Sequence, residues 1–125
     1  MDTKKKILIV EDDELAQEFL RYYLSKSYEV HVSKNVVSFY KNIEANIFDA
    51  ILMDVFLKDV KTGLDLTKEL RADKRHKDTP IIIMTAHNTT ADRRNAFESG
   101  ATKFLNKPVD LKTLKANIEE LFVTV

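Results

Sequence analysis

The chain has no cysteine and no tryptophan, and only two of its 125 residues are glycine and two proline. Without cysteine there is no disulfide framework, no thiolate metal centre and no thiol nucleophile. So little glycine and proline excludes a collagenous or low-complexity chain and leaves no obvious linker. One domain is therefore expected over residues 1–125, with its core at about 5–122. Charge of one sign is missing too, since 20 Lys plus Arg balance 20 Asp plus Glu. A nucleic-acid binder needs a cationic surplus to displace counterions from phosphates, and none exists here. The longest apolar runs end after four residues, far short of a membrane helix or a signal-peptide core. The expectation is a soluble, cytoplasmic domain with no membrane or nucleic-acid partner.

What the chain does have is a regular alternation of patterns. Ile7–Val10, Ala50–Met53 and Ile81–Met84 are apolar runs too short for helices, and they read as strands buried on both faces. Tyr28–Val32 alternates apolar with polar residues, and Thr102–Leu105 is similar; both suit the edges of a sheet. The stretches between carry helical spacing. Leu15, Phe19 and Tyr22 are expected to line the core face of the first helix, and Val36, Tyr40, Ile43 and Ile47 that of the second. Leu66 and Leu70 serve the third, and Leu111, Leu114, Ile118, Leu121 and Phe122 the fifth. The fourth segment, Thr89–Ser99, offers only Ala91, Ala96 and Phe97. Asp13 and Asp110 suit helix N-caps, Val109 a staple against Leu114, and Gly100 a helix-ending cap.

Strand and helix thus alternate five times. Right-handed crossovers then require a parallel sheet with helices on both faces. Placing the three most apolar strands centrally predicts an α/β fold with strand order 2-1-3-4-5, a flavodoxin-like (βα)5 three-layer sandwich. Ligands in such sheets bind beside the switch point, at the carboxyl ends of the strands.

Those ends hold Glu11-Asp12-Asp13, Asp54, Thr85-Ala86 and Asn106-Lys107-Pro108. Carboxylates gathered within a few ångströms repel one another unless a cation intervenes. An all-oxygen group without His or Cys suits a hard cation, and Mg²⁺ fits best because it takes one or two carboxylates, waters and a phosphate oxygen. Glu11, Asp12 and Asp54 are the candidate ligands. Lys107 supplies a compact positive charge and Thr85 a hydroxyl donor, the groups a transferring phosphoryl needs on its oxygens. Asp54, alone at the end of a central strand, is the candidate nucleophile for an aspartyl phosphate. Blander roles compete: the acids as a solvated helix N-terminus, Thr85 as an ordinary strand end, Lys107-Pro108 as a surface pair.

At these residues the chain resembles the receiver domain of bacterial two-component response regulators, of the chemotaxis-type single-domain form. The matching segments are Ile-Leu-Ile-Val-Glu-Asp-Asp-Glu (7–14), Ala-Ile-Leu-Met-Asp (50–54), Ile-Ile-Ile-Met-Thr-Ala (81–86) and Gly-Ala-Thr-Lys-Phe-Leu-Asn-Lys-Pro (100–108). The resemblance implies that Asp54 accepts a phosphoryl group from a sensor histidine kinase or a histidine phosphotransfer protein. It implies Mg²⁺ on Glu11, Asp12, Asp54 and the Phe56 backbone carbonyl. Thr85 and Phe104 would act as switch residues and Lys107 would pair with the phosphoryl group, although Phe104 also fits as plain core. Signalling is expected through the fourth helix, fifth strand and fifth helix, to a downstream protein in trans if the chain is complete. Only self-phosphorylation and slow self-dephosphorylation are expected, with no turnover of an external substrate.

One loop departs from the family pattern. A proline usually follows the acceptor by four positions and a glycine comes four later; here Lys58 replaces the proline and Gly63 stands nine positions on. The loop is expected to be one residue longer and less rigid. Phe56, bulky and apolar beside the acceptor, is expected to hinder water. The alternatives fit less well. A phosphohydrolase of the haloacid-dehalogenase type wants a second Asp where Phe56 stands, a flavin module would be repelled by the acids at its phosphate loop, and a phosphorylation-independent interaction domain usually loses part of this set.

Overall fold

Each short apolar or alternating segment forms a strand, and each stretch between forms a helix. In the computed structural model, which describes residues 3–123, the order is β1 (Lys6–Val10), α1 (Glu14–Leu24), β2 (Glu29–Ser33), α2 (Val36–Ala45), β3 (Ala50–Asp54), α3 (Gly63–Ala72), β4 (Ile81–Thr85), α4 (Thr90–Ser99), β5 (Lys103–Asn106) and α5 (Leu111–Leu121). The strands pair in the order β2-β1-β3-β4-β5. All four pairings are parallel, as expected. Val10 lies beside Met53 and Asp54 beside Met84, so the carboxyl ends of β1, β3 and β4 stand in one row.

Successive side chains of a strand point to opposite faces, and the central strands divide their apolar residues accordingly. Leu8, Val10, Ile51, Met53, Ile81 and Ile83 pack with Phe39 and Ile43 of α2, Leu66 and Leu70 of α3, and Ala96 of α4. Ile7, Ile9, Ala50, Leu52, Ile82 and Met84 pack with Leu20 and Leu24 of α1 and Leu114 and Ile118 of α5. Burial on both faces is why these strands are apolar throughout.

The helices start where polar caps stop the chain. Asp13 accepts the Ala16 N–H at 2.8 Å and Asp110 the Thr113 N–H at 3.0 Å, as expected. Thr62 with Asp65 and Thr89 with Asp92 form reciprocal capping boxes. Gly100 ends α4 with a left-handed backbone, φ 113°.

The structure corrects several assignments of helix faces. Leu15, Phe19 and Tyr22 were expected in the core but are 69%, 60% and 73% exposed. Leu20 and Leu24 face the sheet instead. A second apolar stripe one residue out of phase lies about 100° around the helix, so periodicity alone does not say which stripe is covered. In α2, Val36 and Ile43 are buried, joined by Phe39, whereas Tyr40 and Ile47 are exposed. Ile47 lies beyond the last turn. In α4 only Ala96 and Ser99 are buried, while Ala91 and Phe97 are exposed.

His76, which has no sequence signal, is wholly buried at the opposite end of the sheet from the row of carboxylates. Its Nε2 accepts the Phe48 N–H at 3.4 Å. Its Nδ1 has no hydrogen-bond partner, with the Asp73 carboxylate 3.6 Å away. Burial holds the imidazole below its ordinary pKa of 6.5, against the pull of Asp73. Below that pH the unfolded chain therefore takes a proton that the folded one refuses, and stability falls on acidification. Relative to His76→Gln, wild type is expected to lose stability as pH falls from ~7 to ~5.5 in urea unfolding. Parallel pH profiles for the two proteins would contradict this.

Candidate functional site

β1 runs out of the core directly into acids. Glu11 stays with the sheet, its N–H donating to the Ser33 carbonyl at 3.0 Å, and is only 1% exposed. Its carboxylate accepts the Asp13 N–H at 3.2 Å through Oε2 and the Lys107 ammonium at 2.6 Å through Oε1. Gln17, one turn into α1, donates to the Glu11 carbonyl at 2.7 Å and closes the turn. Asp12 is half-buried beside it.

Asp54 ends β3 and is 7% exposed. Lys107 Nζ lies 3.4 Å from its Oδ1, so one ammonium serves two carboxylates. Burial, and then the charge of Glu11, push the Asp54 carboxyl up to about 6, with Lys107 opposing them. Burial works against the Lys107 charge, but Glu11 and Asp54 outweigh it and raise the ammonium above its usual value. Oxygens of Glu11, Asp12 and Asp54 all lie within 4.8 Å of one another. Three acids beside one ammonium, which contacts two of them, leave negative charge in excess, and the donor set is all oxygen. Both features fit a hard divalent cation.

The other strand ends close around this centre. Thr85, buried at the end of β4, accepts the His87 N–H on its hydroxyl at 3.2 Å and the Lys107 N–H on its carbonyl at 2.9 Å. The second bond ties β4 to the segment carrying the ammonium, just before a cis Lys107-Pro108 peptide. Phe104 on β5 is buried, with the Arg93 guanidinium 4.8 Å above its ring. Phe56, two residues past Asp54, is half-exposed, with its ring centroid 4.4 Å from that of His87. The topology thus brings Glu11, Asp12, Asp54, Thr85 and Lys107 to one rim. Phe104 lies next to it, beneath α4.

Two features of the β3–α3 loop escaped the sequence reading. The loop is anchored despite its extra residue and the left-handed backbone of Lys58 (φ 52°). Leu57 is buried in the core, and the Asp59 carboxylate accepts the N–H groups of Val36 and Val60 at 2.9 and 2.7 Å. Gly63 opens α3 hard against β3, its N–H donating to the Val55 carbonyl at 2.8 Å. A Cβ at Gly63 would stand 2.0 Å from the Asp54 carbonyl oxygen. Its rarity was the available signal, since it is one of two glycines in the chain.

A family model for the response regulator receiver domain matches residues 7–119. The transcriptional regulatory protein CrdR of Helicobacter pylori is 35% identical over 120 residues, covering 95% of this chain and 55% of that protein. The transcriptional regulatory protein SrrA of Staphylococcus aureus is 32% identical over 117 residues, covering 93% and 47%. The chain therefore spans about half the length of these curated relatives. Among solved structures, the chemotaxis protein CheY4 of Vibrio cholerae superimposes with a TM-score of 0.90 at 26% identity, covering 96% of this chain and all (100%) of that one. The receiver domain of the sensor histidine kinase PA1611 from Pseudomonas aeruginosa, with a magnesium ion coordinated in its active-site cleft, gives 0.85 at 30% identity, covering 95% and 98%. The family match begins in β1 and ends in α5, so it takes in every strand end described above, and this chain belongs to the response regulator receiver domain family of two-component systems.

Proposed function

We propose that Asp54 accepts a phosphoryl group from the phosphohistidine of a sensor histidine kinase or a histidine phosphotransfer protein, and that the phosphorylated domain signals through α4, β5 and α5. The observation that supports this most is the Lys107 ammonium, 2.6 Å from Glu11 and 3.4 Å from Asp54. It sets a fixed cation beside a buried nucleophile. Glu11, Asp12 and Asp54 would hold Mg²⁺, with the Phe56 backbone carbonyl as a further donor. Bound there, the ion would offset the repulsion between an anionic nucleophile and an anionic phosphoryl group.

The remaining work falls to the chain's own residues. An Asp54 oxygen forms a bond to phosphorus as the donor's N–P bond breaks, and the freed imidazole takes up a proton. Lys107 pairs with one phosphoryl oxygen. The Thr85 hydroxyl, which already accepts the His87 N–H, donates its proton to another. A shift of Thr85 opens room beside Phe104, whose rotamer follows. Helix α4 buries only two residues, and an element so lightly anchored shifts under a small free-energy bias.

Intact-mass spectrometry after incubation with acetyl phosphate and Mg²⁺ tests the reading. Wild type is expected to gain the mass of one phosphoryl group, and the gain should vanish in EDTA. No gain in wild type, or an equal gain in Asp54→Asn, would overturn it.

A further inference from the structure

We infer that Asp59 is a positioning residue for the divalent cation: it ties the β3–α3 loop to the N-terminus of α2 and so aims the Phe56 carbonyl at Glu11, Asp12 and Asp54. The inference rests on the metal reading above. Helix α2 leaves a gap that this residue fills. Its own cap, Asn35, accepts the Ser38 N–H at 2.8 Å, and its first turn holds no acidic residue. The N–H of Val36, the first helical residue, would otherwise be an orphan donor. Asp59, 23 positions further along the chain, accepts it at 2.9 Å, and its charge complements the helix dipole there. The other carboxylate oxygen accepts the Val60 N–H at 2.7 Å.

The tie matters because of what precedes it. Lys58 has a left-handed backbone, φ 52°, which costs a residue with a Cβ free energy that neighbouring contacts must offset. Phe56 stands between fixed points: the Val55 carbonyl accepts the Gly63 N–H at 2.8 Å, and the Leu57 side chain is buried in the core. Leu57 sets where the chain enters the core, but not how the peptide before it is turned. That turn follows from the Lys58 dihedrals and the anchor beyond them. Without Asp59, Lys58 relaxes to an ordinary backbone and the peptide between Phe56 and Leu57 turns with it. Mg²⁺ demands near-octahedral oxygens, whereas Ca²⁺ accepts looser sets. A misdirected carbonyl should therefore cost Mg²⁺ binding more than Ca²⁺ binding. Lys61, the loop's second tie, reaches Glu69 at 2.7 Å and the Tyr40 hydroxyl at 2.6 Å, but it lies beyond the Asp59 anchor from Phe56.

Mg²⁺ and Ca²⁺ are to be titrated separately into unphosphorylated protein by isothermal titration calorimetry, under conditions where each variant is fully folded. Asp59→Ala is expected to weaken Mg²⁺ binding about tenfold, the scale on which a metal site responds to losing a group that orients its ligand. Ca²⁺ binding should weaken by no more than about twofold. Asp59→Asn keeps an acceptor oxygen for the Val36 N–H but loses the charge, and should hold Mg²⁺ with nearly the wild-type affinity. Lys61→Met should do the same. Equal weakening in Asp59→Asn and Asp59→Ala, or equal losses of Mg²⁺ and Ca²⁺ affinity, would mean that Asp59 acts through its charge alone and would overturn the inference. Wild-type Mg²⁺ affinity in Asp59→Ala, or a matching loss in Lys61→Met, would also overturn it while leaving the metal reading intact. No Mg²⁺ binding by wild type would remove both.

Discussion

Asp54→Asn is expected to make the metal-free protein more stable by about 2 kcal/mol while ending its phosphorylation. The side chain is nearly isosteric, so packing around it stays the same. What changes is charge. With its carboxyl raised from 3.8 to about 6, the folded state holds this proton more tightly than the unfolded chain does. Between those values stability falls as pH rises, and above them both states are ionised and the folded one carries the whole penalty. That penalty is about 3 kcal/mol at neutral pH, reduced to about 2 kcal/mol because the buried amide keeps polar groups of its own to satisfy. Lys107 retains Glu11 at 2.6 Å and is not left unpaired. In EDTA the variant should melt higher by about 8 °C. Added Mg²⁺ should stabilise wild type more than the variant, since a ligand that binds only the folded state stabilises by an amount that rises with the logarithm of its affinity there. A variant less stable than wild type in EDTA would mean that the carboxylates are not crowded.

Gly63→Ala should act in the opposite direction and destabilise strongly. In an ordinary exposed helix, alanine for glycine stabilises by roughly 0.5–1 kcal/mol. At Gly63 the new Cβ meets the Asp54 carbonyl oxygen at 2.0 Å and the Met53 Cγ at 2.9 Å. A backbone oxygen inside a paired central strand cannot swing aside as a side-chain tip can. Either α3 or β3 must move, at a cost of about 3 kcal/mol. Because the displaced atom belongs to Asp54, the proposed acceptor, the strain would also move its carboxylate, and a misplacement of ~1 Å can slow a reaction about a hundredfold. Urea unfolding and the rate of phosphoryl mass gain check the two effects separately. A wild-type midpoint would show that the loop yields without strain.

The strand order was readable because fully buried parallel strands must be apolar at every position, and only three segments are. The rim followed from it: once β1, β3 and β4 are adjacent, Glu11, Asp12, Asp54 and Thr85 have nowhere else to lie, and Lys107 follows β5. Helix orientation was less readable. Leu15-Phe19-Tyr22 and Leu20-Leu24 are both plausible core stripes on α1. The choice depends on how the Asp13 cap and the turn after Glu11 phase the helix on the sheet. Of the three apolar candidates on α4, only Ala96 takes a buried place, while Ala91 and Phe97 stay exposed.

By itself the sequence determined the class, the topology and which groups are candidates for the site, because alternation, burial on both faces and strand-end chemistry are local properties repeated along the chain. The tertiary structure alone decided that one ammonium is shared between Glu11 and Asp54, that Gly63 abuts the Asp54 carbonyl, that Phe56 meets His87, and that His76 Nδ1 lies 3.6 Å from the Asp73 carboxylate. Each of these is a distance between residues on different elements. Such distances depend on the twist and spacing with which those elements pack, and no local pattern encodes them.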